Sequence, residues 1–415
     1  MKKIFFSFIL IVLYISQPLS AQHLLQTDGT AIVNQNQDTI IFRGMGLGGW
    51  MVQEGYMMQT AAFASPQHKI RDTIEDLIGA TNTELFYQKW RENHVRKIDI
   101  DSMKSWGFNM IRLPMHYNLY TLPIEDEPVS GQNTWLNTGF EMTDSLLSWC
   151  QENEMYLILD LHAAPGGQGY DQAISDYDPS KPSLWESVAN RQKAASLWRK
   201  LADRYKNEQW IGGYDLLNEP NWNLPGGAAL RAFYDMVTDS IRSVDTTHII
   251  YIEGNWFANT FDGLTPPWDS NLVYSPHKYW SPVFNVSDIQ YGLDLRDNFN
   301  VPIWFGETGE NSNAWYTDLI RLFETNGVGW AWWPEKKLET INAPLSYLKN
   351  SGYQDLLYYW SGATNTPPTA AIATNSLMQL AENLKLENCV YNRGVIDAMF
   401  RQVYSDETLP WTYQT

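Results

Sequence analysis

The sequence predicts an α/β chain folded as a single (β/α)8 TIM barrel. Short apolar runs of strand character recur eight times between residues 42 and 333, and amphipathic helical patterns separate them. Strands that alternate with helices pair in parallel through right-handed crossovers, and eight is the number that closes a barrel. The later runs end in polar or aromatic residues: Arg112, Asp160 with His162, Asn218 with Glu219, Glu253, His277 with Tyr279, Glu307, and Trp332 with Trp333. Far apart in the chain, these become neighbours on one rim only if the sheet closes.

In chain order, residues 1–21 read as a secretory signal. Lys2 and Lys3 start it, Ile4 to Ile15 form an apolar stretch short for a bilayer, and Leu19-Ser20-Ala21 offers a cleavage site. The mature protein is then expected to be secreted (periplasmic or extracellular), free of the membrane, with residues 22–415 as one domain. Residues 23–43 predict a hairpin turning at Thr27-Asp28-Gly29-Thr30, with Ile32 and Val33 before it returns through Thr39-Ile40-Ile41-Phe42.

Strands are predicted at 42–46, 108–114, 156–161, 213–218, 247–252, 272–277, 302–306 and 329–333. Helices are predicted at 141–154, 184–206, 227–243, 288–298 and 312–325. Two connections are long. Residues 163–183 contain Asp176 and Asp178, which suit calcium but are read as solvated acids. Residues 334–370 carry Tyr347, Tyr353, Tyr358, Tyr359 and Trp360, and a loop of that length usually has a function. The rival architecture is a doubly wound open sheet with Gly44-Met45-Gly46-Leu47-Gly48-Gly49 as a phosphate turn. The run lacks a following helix signal and an acidic ribose partner.

A formal charge of −18, made more negative by losing Lys2 and Lys3, excludes nucleic acid and anionic membranes as partners. A neutral partner fits. The 19 Trp and 23 Tyr are many; most pack in a core, and the rest could stack on sugar rings. Cys150 and Cys389 lack metal or redox spacing. Export would permit a disulfide, while the helical run around Cys150 equally suits a buried thiol. No metal or cofactor motif is read, and a monomer is expected.

Glu219 closes Leu216-Leu217-Asn218-Glu219-Pro220, and Glu307 lies in Trp304-Phe305-Gly306-Glu307-Thr308. Two carboxylates at the mouths of parallel strands suit acid and nucleophile work on a glycosidic bond. Pro220 biases Glu219 away from the α region, which predicts an extended residue there.

The ordered set resembles glycoside hydrolase family 5, the cellulase-type family of the retaining clan A, over roughly residues 40–390. Besides Asn-Glu-Pro and Phe-Gly-Glu, Gly107-Phe108-Asn109-Met110-Ile111-Arg112-Leu113-Pro114 and Leu159-Asp160-Leu161-His162-Ala163-Ala164-Pro165-Gly166-Gly167 are similar to the family's second and third strand motifs. Leu47-Gly48-Gly49-Trp50-Met51-Val52-Gln53-Glu54 is nearest to its exo-β-1,3-glucanase branch. The resemblance implies an O-glycosyl hydrolase acting on a β-linked oligo- or polysaccharide. Glu219 would be the acid/base and Glu307 the nucleophile, with carboxyl groups about 5–5.5 Å apart.

It further implies Arg112 and Tyr279 beside Glu307, Asn218 on the sugar 2-hydroxyl, His162 and His277 around the reacting sugar, and Trp333 as its stacking platform. Asp160 would orient a neighbour. The bond after Trp333 would be cis, made easier by Pro334. Glu54 would bind the terminal sugar, and Trp222 would wall the leaving-group side. Glu335-Lys336-Lys337 departs from the usual cellulase continuation. The alternatives are an endo-β-1,4-glucanase or β-mannanase, a transglycosylase, and a catalytically dead glycan-binding protein.

Overall fold

The computed structural model describes residues 24–405; the predicted signal lies outside them. Eight strands form the barrel: β1 Arg43–Gly46, β2 Met110–His116, β3 Tyr156–Ala163, β4 Ile211–Asp215, β5 Ile250–Ile252, β6 Leu272–Tyr274 resuming as His277–Lys278, β7 Trp304–Gly309 and β8 Gly329–Trp333. All pair in parallel. Their runs are fully buried apart from Arg43, the pattern of a sheet covered on both faces.

The ring closes through β6. Its first half pairs with β5, its second half places His277 opposite Glu307, and Tyr274 bridges to Ile303. Pro276, which has no N–H to give, sits at the interruption. The hairpin of Gln26–Asp28 with Ala31–Val33 packs Leu25 and Ile32 into one apolar cluster with Phe42, Met110, Tyr251 and Trp304. Thr39–Phe42 adds only the single bridge of Thr39 to Val33, so the predicted return strand is mostly irregular.

The helices Asn137–Glu152, Val188–Tyr205, Ala228–Arg242, Gln290–Phe299 and Asn313–Thr325 follow the predicted ones within a few residues. Four C-terminal strand ends differ by two residues or more. β4 stops at Asp215, short of 218, while β2, β3 and β7 run on to His116, Ala163 and Gly309. Three further helices, Gln67–Ile78, Ala80–His94 and Lys97–Trp106, lie between β1 and β2.

The first two build a side lobe with Ser351–Trp360 and Ala370–Asn383 around a second core of Ile70, Ile74, Phe86, Trp90, Tyr353 and Leu377. The long connection after β8 is therefore folded, not an open loop. It supplies two strands, Lys336–Leu338 and Leu345–Tyr347, to a small sheet completed by Val390–Tyr391. Lys336 joins lobe to barrel. Its ammonium is fully buried, 2.7 Å from Asp99, 3.0 Å from the Leu384 carbonyl and bonded to the His94 carbonyl.

The glycine run after β1 makes room for an indole. A Cβ on Gly48 would stand 2.7 Å from the Trp333 ring, and one on Gly46 2.9 Å. Close approach explains these glycines without any phosphate.

Candidate active site

The open end of the barrel holds a cavity of about 650 Å³ lined by Glu54, Tyr56, His162, Glu219, His277, Tyr279, Glu307 and Trp333, among others. The predicted pair meets in it. An oxygen of Glu219, an oxygen of Glu307 and a ring nitrogen of His277 all lie within 4.8 Å of one another.

Glu307 sits within β7, paired with His277 on one side and lying in an irregularity of the β7–β8 ladder on the other. Arg112 donates to Oε1 and the Tyr279 hydroxyl to Oε2, the latter at 2.9 Å. Glu219 follows the end of β4, and its φ is +39°. The predicted extended conformation is thus corrected: Pro220 does disfavour the right-handed region, but the chain goes left-handed instead. The Glu219 N–H has left the sheet and donates to Glu253 Oε2 at 2.6 Å. The Glu219 carboxylate lies 2.7 Å from His277 Nδ1.

Beneath the pair, Arg112 is fully buried. Its guanidinium bonds Asn218 Oδ1 at 2.8 Å and Glu253 at 2.9 Å, and reaches Asp160 and Asp215 at 3.1 Å. Arg112 and Asn218 are both shut off from the cavity as it stands. Arg112 is therefore no substrate contact, because every donor it has is turned to protein oxygens. The Asn218 Nδ2 donor has no partner among the described residues. Asp160 accepts from or donates to His162 Nδ1 at 2.9 Å, which fits the orienting part expected of it.

Burial pushes Asp160 up to about 7 despite Arg112, and raises Asp215 and Glu253 too. Burial pulls His162 down to about 4. On His277 burial acts the same way, but the carboxylates of Glu253, Glu307 and Glu219 outweigh it and hold the ring well above the ordinary imidazole value. Burial, then the charge of Glu307, raises Glu54 well above the usual carboxylate range.

Trp333 stacks on His162, centroids 5.1 Å apart and planes within 8°. The Trp333–Pro334 bond is cis. Its indole N–H donates to the Tyr56 hydroxyl at 2.9 Å, Tyr56 donates to Glu310 at 3.2 Å, and Lys337 donates to Glu310 at 2.5 Å. Lys337 of the unusual Glu-Lys-Lys run thus ends a hydrogen-bonded chain that starts at the stacking ring.

Trp222 is placed differently from expectation. It stacks on Tyr170 at 4.0 Å and borders a separate hollow with Trp185 and Arg191, so it does not line the cavity. Phe257 and Trp280 line it instead. Asp176 is not solvated. It is held by His68 at 2.8 Å and His116 at 2.9 Å, which leaves it no role as a calcium ligand. The thiols of Cys150 and Cys389 are both free.

Tyr56, Asp171, Phe257, Trp280 and Glu310 were not foreseen as cavity residues. Two carried a signal: Tyr56 lies two residues after Glu54, and Glu310 three after Glu307. Glu253 was visible as a strand end, but its contacts were not.

Solved structures share the architecture. A rutinosidase from Aspergillus niger superposes with a TM-score of 0.57 at 17% identity, covering 72% of this chain and 91% of its own. A β-glucanase from Saccharophagus degradans gives 0.51 at 16% identity, covering 87% and 94%. At such identities the likeness is one of fold. Fold and rim together define an α/β-barrel glycoside hydrolase. Residues 72–337 match the family model described as "Cellulase (glycosyl hydrolase family 5)", and the chain belongs to that family.

Among curated relatives, a protein named "Beta-xylosidase" from Phanerodontia chrysosporium is 33% identical over 61% of this chain and 52% of its own. One named "Probable glucan 1,3-beta-glucosidase A" from Aspergillus fumigatus is 27% identical over 58% and 56%. The chain spans about half the length of these relatives. No helix among the described residues is long and apolar enough to cross a membrane.

Proposed function

We propose that this chain is an exported retaining β-glycosidase that removes single sugars from the non-reducing end of a neutral β-glucan, with β-1,3 linkage preferred. The observation that carries the mechanism is that one carboxylate oxygen of Glu219 and one of Glu307 lie within 4.8 Å of each other in one cavity. An inverting pair needs about 6.5–9.5 Å to admit a water, whereas a retaining pair works at about 5–5.5 Å.

Glu307 attacks the anomeric carbon while Glu219 gives its proton to the departing oxygen. The old C–O bond breaks and a glycosyl ester forms on Glu307. Water then attacks that ester, Glu219 takes the water's proton, and the Glu307 carboxylate is released. Arg112 and Tyr279 hold Glu307 aligned. Trp333 offers the sugar a flat face beside His162. The unpaired Asn218 donor, once uncovered by a small side-chain movement, suits the 2-hydroxyl.

Exo action is supported by Glu54, whose buried carboxyl lines the cavity with Tyr56 and Glu310. A raised Glu54 can donate to one sugar hydroxyl and accept from another. The glucan 1,3-β-glucosidase name of a relative agrees with this reading. An "Endoglucanase C" from Acetivibrio thermocellus, 24% identical over 62% of this chain, keeps an endo-β-1,4 reading in play. Product profiles on laminarin, cellulose and mannan separate them. Early glucose from laminarin is expected; internal cuts without early monosaccharide would reject exo action.

A further inference from the structure

We infer that Glu253 is a positioning residue for the acid/base Glu219, gripping it from two directions: at its backbone N–H and, through His277, at its carboxylate. The inference rests on the assignment of Glu219 as the acid/base.

Glu253 is fully buried at the end of β5, so it does not meet substrate. Its Oε2 accepts the Glu219 N–H at 2.6 Å. That bond holds a residue at φ +39°, a left-handed conformation that side chains other than glycine rarely adopt. The Oε1 atom stands 3.2 Å from His277 Nε2, and the far nitrogen of the same ring is 2.7 Å from Glu219 Oε1. Arg112 donates to Oε1 at 2.9 Å, and the Glu253 backbone carbonyl accepts from the buried Tyr234 hydroxyl at 2.8 Å. The grip is therefore rigid at its own root.

His277 is faced from every side by groups that set its charge. Glu219 hydrogen-bonds its Nδ1, Glu253 stands 3.2 Å from its Nε2, and Glu307 on β7 lies 3.8 Å away. Asp160 and His162 of β3, Asp215 of β4 and Arg112 of β2 complete the surroundings, with Tyr279 just past the end of its own strand. The carboxylates outnumber the guanidinium, and the ring keeps its proton. Removing the Glu253 carboxylate removes one of the charges that keep the ring's proton.

The test is the pH profile of kcat/KM for Glu253→Gln and Glu253→Asp, read on an alkyl and on a dinitrophenyl β-glucoside, with Glu219→Ala in parallel. In Glu253→Gln the alkaline limb set by His277 moves down by about one pH unit. Its loss on the alkyl glucoside exceeds that on the dinitrophenyl one by about tenfold or more. Glu253→Asp keeps the charge and the wild-type limb while losing rate on the alkyl substrate. An unmoved limb with equal loss on both substrates in Glu253→Gln overturns the inference. If Glu219→Ala itself loses both substrates equally, the acid/base assignment fails, and that outcome is read independently. Should the variants not fold, ring-labelled His277 in the wild type decides: both nitrogens protonated at pH 7 supports the relay, and a neutral ring at pH 6 refutes it.

Discussion

Removing the Glu219 side chain separates the two chemical steps proposed for this site. In Glu219→Ala an alkyl glucoside has no proton donor for its leaving oxygen, and general-acid help is worth about 10²–10⁴-fold, or about 3–5 kcal/mol of barrier. A dinitrophenyl glucoside needs no proton to depart. What it loses is only positional. His277 forfeits its 2.7 Å partner but keeps Glu253 at 3.2 Å and Glu307 at 3.8 Å, so the ring stays charged and Glu307 stays in place. One such bond contributes about 1 kcal/mol, which bounds the loss in kcat/KM for this substrate near tenfold. Hydrolysis of the glycosyl ester then lacks its base, so kcat on the activated substrate falls and KM falls with it. Azide, small enough for the vacated space, should restore turnover and yield a β-glycosyl azide. The assay is steady-state kinetics on both substrates with and without azide. Equal losses on the two, or an azide product of inverted configuration, would refute the assignment.

Three other outcomes are expected. Glu307→Gln should lose all turnover of aryl β-glycosides yet still bind glucan oligosaccharides by calorimetry; surviving turnover would discard the nucleophile. Lys336→Met leaves Asp99 buried and unpaired, costing about 3–5 kcal/mol. A thermal scan should then show Tm lower by about 4–6 °C for a chain of this size; an unchanged Tm would show that the pair adds nothing. Asp176→Asn should destabilise in a pH window. Asp176 is held down to about 2, mainly by His116 and His68 against the opposing effect of burial, so its contribution is present above the ordinary value and fades as pH falls toward 2. His68 is raised by its bond to Asp176, so its share is present below its ordinary value and fades as pH climbs past the raised one. The gap between wild type and variant in urea unfolding should be widest between about pH 4 and 6.5, about 2 kcal/mol. A gap that widens toward pH 2 would contradict this.

The barrel was legible because each of its strands is an apolar run with helix-period residues on either side, and because rim chemistry recurs at run ends. The helices between β1 and β2 carried the same kind of signal: Ile70, Ile74 and Ile78 repeat every four residues. They were passed over because an apolar stripe does not say what covers it. The lobe that does, from Ser351 onward, is nearly 300 residues later, and the long connection after β8 read as loop for the same reason. Glu219, Glu307, His162, His277, Tyr279, Trp333 and Glu54 were found from motifs and do share the cavity. Trp222 was not separable from a cavity wall by sequence, since its direction depends on the stack with Tyr170. The Glu219 backbone could not be read from Pro220, which excludes one region without choosing between the others. That choice is made by Glu253, a residue from the next strand.

The charges of the rim are ordered by depth. Asp160, Asp215 and Glu253 are wholly out of solvent and crowd one guanidinium, so burial raises all three against the pull of Arg112. The two carboxylates that face the cavity, Glu219 and Glu307, are 7% and 5% exposed. Arg112 links the layers, since the same side chain bonds the deep acids and Glu307. The Arg112 cation, fixed between the layers, bonds Glu307 at the cavity side, where a developing oxocarbenium ion would form. A barrel interior packed only with apolar residues would hold the two glutamates as well, but it would give neither His277 a reason to stay protonated nor Glu307 a fixed cation. The buried acids therefore belong to the chemistry of the site through the groups they hold: Glu253 holds the Glu219 N–H, Asp160 holds His162, and all three hold Arg112.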